Sequence, residues 1–132
     1  MEQEKSVVKK ETNLGSIRIA DEVVSIIAGL AATEVDGVAG MSGGIAGGIA
    51  EMLGRKNFAK GVKVEVGEKE AAVDLFVIVK YGVRIPDIAL AVQENVKQAI
   101  ETMTGLSVVE VNIHIQGVIL PEEQKTEEVR VR

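Results

Sequence analysis

Ala71 to Tyr81 constrains this chain more than any other stretch. Val73, Leu75, Val77 and Val79 share one parity, and Asp74, Phe76, Ile78 and Lys80 the other. Successive side chains of a strand point to opposite faces, so this alternation spells a strand. Being partly apolar on both faces, it belongs at the centre of a sheet. Just before it, Val62, Val64 and Val66 alternate with Lys63 and Glu65, and Gly67-Glu68-Lys69-Glu70 supplies a hairpin connection. Val109, Val111, Ile113 and Ile115 alternate with Glu110, Asn112, His114 and Gln116 in a last strand.

Between these strands, Pro86 and Asp87 open a helix, with proline where its missing N–H is no loss. Ile88, Val92, Val96, Ala99, Ile100 and Met103 line one face of it, and Glu94, Lys97, Gln98 and Glu101 the other. Gly105 closes it. A helix in this place lets the last two strands run parallel through the usual crossover. Earlier, Asp21 and Glu22 open a first helix, their charges complementing its N-terminal dipole, and Gly37 stops it after Glu34. From Val23 to Ala32 only Ser25 is polar, so apolar surface wraps most of the circumference. A helix covering one sheet needs only a stripe. Either its Ala and Gly tolerate water, or the surplus is a contact surface toward another copy or another protein; the patch argument favours association.

The expected fold is α+β. An α-β-β-α-β core builds a small mixed three-stranded sheet with two main helices on one face, and Leu14 to Ile19 offers a possible extra N-terminal strand. Lys63, Glu65, Asp74, Asn112 and His114 should look outward from the opposite face. Residues 1–13 read as a charged flexible arm, 14–120 as a single domain and 121–132 as a charged, disordered tail. Gly37 to Gly61 is glycine-rich and reads as a loop into a short, marginal helix. That helix would carry Ile45, Ile49, Met52 and Leu53 and end at Gly54, with Arg55, Lys56 and Lys60 as a basic island behind it.

A chain of 132 residues can bury a core without a metal or disulfide. Cysteine is absent, which removes disulfides, thiolate metal sites and thiol nucleophiles together and fits a reducing compartment. Nucleic-acid binders need a concentrated basic face or aromatic platforms. This chain has a net charge of −5, and Phe58, Phe76 and Tyr81 are its aromatic residues. Three G-x-x-G units, at Gly37–Gly40, Gly40–Gly43 and Gly44–Gly47, match the clamp of a KH domain but lack its basic residues. The two common phosphate-loop fingerprints do not occur. Val7 and Val8 alone are too little apolar sequence for a secretory leader, and no run approaches the ~20 residues of a membrane span. A cytoplasmic protein without direct membrane insertion is expected.

Two residues invite chemistry. Asp74 interrupts an apolar strand, and its plainest role is a cross-strand pair with Lys63 or a hydrogen bond at a sheet edge. His114 has Asn112 and Gln116 as same-face neighbours, and it cannot assemble a multi-histidine metal site because it is the single histidine. A catalytic histidine needs a nucleophile and an orienting group. No catalytic residue, cofactor site, metal site or small-molecule substrate is therefore expected.

Several segments carry a resemblance. Ile26 to Gly40 looks like the opening helix and turn of the alkaline shock protein family, the Gls-type envelope stress response proteins of Gram-positive bacteria. Gly54 to Asn57, Gly61 to Val66 and Val73 to Leu75 resemble its middle block. Tyr81 to Val83, Ile85-Pro86, Met103 to Gly105 and Val109 to His114 resemble its closing half, so the likeness spans Leu14 to Leu120. The resemblance implies a small non-enzymatic α+β protein that forms homo-oligomers. It further implies peripheral placement at the inner face of the cell membrane through a membrane-anchored protein partner, or, as in some paralogues, a part in lipid-precursor balance. A KH-like nucleic-acid-binding or regulatory module is the competing expectation.

Overall fold

The computed structural model describes residues 7–42 and 59–121. The chain runs β1 (Val7–Thr12), β2 (Gly15–Ala20), α1 (Asp21–Thr33), β3 (Val38–Met41), β4 (Val62–Val66), β5 (Glu70–Lys80), α2 (Ile85–Thr104) and β6 (Ser107–Ile119). The expected marginal helix, its basic residues Arg55 and Lys56, and the tail after Pro121 lie outside the described residues.

β5 is the centre of a mixed sheet. β6 pairs with it in parallel along its whole length, from Glu70↔Ser107 to Lys80↔Ile119. Its other edge is shared end to end. β4 pairs antiparallel with the first half, from Val66↔Ala71 to Val62↔Leu75, and β3 with the second, from Met41↔Val77 to Val38↔Val79. The sheet is therefore three strands wide but has four strands. Val38–Met41 is a strand where the glycine-rich pattern suggests a loop, because β4 leaves the C-terminal half of β5 unpaired and Val38 and Met41 both bury there. Ser42 and Gly61 flank Phe76 at the junction, where the Ser42 N–H donates to Phe76 O at 2.7 Å and the Phe76 N–H to Gly61 O at 2.8 Å.

Both helices cover the face formed by Ala71, Val73, Leu75, Val77 and Val79. α2 begins with Pro86 in its first turn and ends on Gly105 in the left-handed conformation, as local chemistry dictates. It buries Val92, Val96 and Ile100, one turn apart each. Met103, expected on the same face, is 67% exposed. Side-chain amides fasten α2 on both flanks. Asn95 Nδ2 donates to Ala31 O of α1 at 2.7 Å, and Gln93 Nε2 to Val111 O of β6 at 2.8 Å.

α1 buries Val24, Ser25, Ile27, Ala28, Gly29, Ala31 and Ala32 among α2, β5, β4, β3 and β2. Even Ser25 is inside, its Oγ–H bonded to Asp21 O at 3.3 Å. Most of the apolar circumference read as a contact surface is thus consumed by the fold, which leaves Val23 and Leu30 as its exposed large side chains. β1 and β2 form a separate antiparallel hairpin, from Val7↔Ala20 to Thr12↔Gly15. The N-terminal strand exists, but in this hairpin instead of the main sheet, and its partner lies in the span read as an arm.

Candidate functional site

The pleat of β5 turns Ala72, Asp74, Phe76, Ile78 and Lys80 away from the helices. With their neighbours they form five rows across the outer face of the sheet. In chain order these are Glu65–Ala72–Glu110, Lys63–Asp74–Asn112, Phe76–His114, Gly40–Ile78–Gly117 and Lys80–Ile119. No described helix or strand is layered on this face.

The middle rows hold a connected cluster. His114 Nε2 stands 3.3 Å from Asp74 Oδ1, with the two side chains 44% and 42% exposed. The His114 ring stacks on Phe76, with centroids 4.4 Å apart and planes 12° apart. Lys63 Nζ lies 5.6 Å from the centroid of the Phe76 ring, within cation–π range. Asn112 Nδ2 donates to Glu110 Oε2 at 3.0 Å. The Asp74 carboxyl is held below its usual range by hydrogen bonding from Asn112 first and then His114; slight desolvation opposes this, and the charges of His114 and Lys63 add to it.

The outward placement of Lys63, Glu65, Asp74, Asn112 and His114 was legible in the alternation. The Asp74–His114 pair was not. Lys63 is the cross-strand neighbour of Asp74 as expected, but the short contact is to His114 across the parallel ladder. Gln116, a candidate neighbour of His114, falls at a register shift between Ile115 and Gly117, so Gly117 takes the place beside Ile78. Sequence offers no signal for that register.

An aspartate–histidine pair can hold and orient a proton. To act as a base it needs a group to deprotonate. Among the described residues the ring's close neighbours are the Asp74 carboxylate and the Phe76 ring, and no hydroxyl is bonded to it. The described residues contain no group of three or more His, Asp or Glu side chains able to hold a metal ion. No described helix is long and apolar enough to cross a membrane.

Residues 9–120 match the profile of the alkaline shock protein 23 family, described as having a cell envelope-related function. The chain belongs to this family. Its relatives include the uncharacterized protein YqhY of Bacillus subtilis, 45% identical across 92% of this chain and 89% of that one. YloU of the same organism is 37% identical across 84% of this chain and 94% of its own. A stress response regulator gls24 homolog of Streptococcus pyogenes is 33% identical across 89% of this chain and 66% of its own. No solved structure matches. The family match begins inside β1 and ends just after β6, so the domain includes part of the hairpin as well as the sheet.

Proposed function

We propose that this member of the alkaline shock protein family is a non-catalytic, self-associating scaffold of the cell-envelope stress response. It acts from the cytoplasm and reaches the membrane through a protein partner. The reading rests on one observation: among the described residues no helix or strand covers the outer face of the parallel strand pair. All-parallel sheets ordinarily carry a layer on each face, and β5–β6 is a parallel pair within this mixed sheet. Here one layer is built from the chain's own helices and the other side offers Phe76, Ile78 and Ile119, all half-buried. The envelope-related description of the family and the name of the streptococcal relative support the setting. The Asp74–His114 pair, engaged with itself and with Phe76, supports recognition over reaction.

Light scattering across a dilution series tests self-association. The expected result is a mass above one chain that falls on dilution; a strict monomer at high concentration overturns the proposal. Tight, salt-dependent binding of an oligonucleotide would replace it with the KH-like reading. Recovery of the tagged chain with native membranes, abolished by protease treatment of those membranes beforehand, tests the partner. Undiminished binding to treated membranes overturns that part.

A further inference from the structure

The outer face also carries an order of charge and bulk along the strands. Gly40 and Gly117 flank Ile78 in the fourth row. Neither has a left-handed φ. A Cβ on Gly40 would meet nothing within 4 Å, and one on Gly117 would meet Ile78 Cγ1 at 3.7 Å and Cγ2 at 4.0 Å, both ordinary contacts. Both lie beside a shift in strand register, and glycine within a strand marks such bulges as well as the close approach of another backbone or a ligand. The result is a bare cross-strand trough with Ile78 as its floor. Two rows toward the other end, Lys63, Asp74 and Asn112 add side-chain bulk to the same face.

The charges are ordered in the same direction. Glu65 and Glu110 occupy the first row and Lys80 the fifth. The Phe76–His114 row lies midway. A two-fold axis through that row sets the acidic end of one copy over the basic end of the other, twice. It also sets each Lys63–Asp74–Asn112 ridge over the partner's glycine trough. An isologous contact needs such a self-complementary patch.

We infer that the occupant of this face is a second copy of the chain, packed sheet to sheet and antiparallel about the Phe76–His114 row. The inference deepens the self-association reading and rests on it. By strand rise and spacing the five rows cover about 27 by 14 Å, so ~400 Å² of projected sheet on each copy. That is about half the area per partner of a standard specific interface and belongs with weak, transient contacts. The dimer is therefore reversible and dissociates within an ordinary dilution series.

Charge exchange on the full-length chain provides the test. Lys80→Glu alone places like charges against Glu65 and Glu110 of the other copy and should weaken the dimer about tenfold or more. Glu65→Lys with Glu110→Lys should do the same from the other side. Mixing the two variants restores both contacts at once, so sedimentation should show a heterodimer where each variant alone is monomeric. Gly117→Val fills the trough and should abolish association while circular dichroism shows an intact fold. If the unaltered chain never self-associates, the scaffold reading fails and this inference with it. If it associates but ignores Lys80→Glu and Gly117→Val, the scaffold reading stands and this face is not the interface. Weakening by both charge variants without recovery on mixing overturns the antiparallel arrangement.

Discussion

Replacing Gly61 by alanine tests the sheet junction more sharply than any core truncation. Gly61 precedes β4 with φ at 81°, a region that costs a side-chain-bearing residue roughly 1–2 kcal/mol. An added Cβ would stand 2.8 Å from Ser42 O and 3.1 Å from Phe76 O. Both are backbone atoms, and Phe76 O accepts the Ser42 N–H at 2.7 Å. Relief therefore requires the β3 and β4 ends to part at Phe76, an overpacking cost of about 1–3 kcal/mol. The sum is about 3 kcal/mol. For a domain of roughly 100 residues this lowers Tm by about 12–24 °C. Gly37→Ala is the comparison: φ is 102° there, but the tightest contact, at 2.7 Å, is the tip of Ile88, which can rotate away. Its cost should be about 1–2 kcal/mol. Gly117→Ala should instead gain ~0.5 kcal/mol, as at any permitted strand position. Thermal melts by circular dichroism, at a dilution where the chain is monomeric, read all three. An unchanged Tm for Gly61→Ala, or a larger loss for Gly117→Ala than for Gly37→Ala, refutes the reasoning.

Leu75 is wholly buried under both helices, and Leu75→Ala should cost about 3 kcal/mol in urea denaturation. Asn95→Ala removes the bond to Ala31 O and should cost about 1–2 kcal/mol, whereas Asn95→Asp, which cannot donate, should be no better. Glu101 accepts from Lys97 Nζ at 2.8 Å and from the Val108 N–H at 2.9 Å, and the Lys97 bond first, then the Val108 bond, holds its carboxyl below the usual range. A depressed folded-state pKa adds stability that is full above the unfolded value and lost as pH falls through the folded one. Melts should therefore weaken as pH drops below about 4, and Glu101→Gln should flatten that slope.

Where local chemistry decides, the sequence was readable. Asp21, Pro86 and Gly105 mark helix ends because dipole, ring and left-handed cap act within one turn. The outer parity of β5 was readable for the same reason, since the pleat has a fixed period. β3 was not, because four residues with a central glycine become a strand only when half of β5 is left without a neighbour. The surplus apolar surface of α1 was misassigned because its burial depends on five elements converging, which periodicity within one helix cannot report. The Asp74–His114 contact needed the parallel register and the shift around Gln116, both set by tertiary pairing.

The same contact permits a test of what organises the outer face. A cross-strand ion pair would make Lys63 the main influence on Asp74, whereas hydrogen bonding from Asn112 lowers its carboxyl most, that from His114 next and the charge of Lys63 least. Removing a donor that stabilises a carboxylate lets its pKa rise toward the ordinary value. Asn112→Ala should therefore raise the Asp74 pKa more than Lys63→Ala does, as followed by carboxyl carbon chemical shifts through an acid titration. The face is water-exposed in the single chain, so neither variant should move Tm beyond the scatter of repeated melts. A larger rise from Lys63→Ala would mean that charge, and not the ladder of hydrogen bonds across β5 and β6, sets this face.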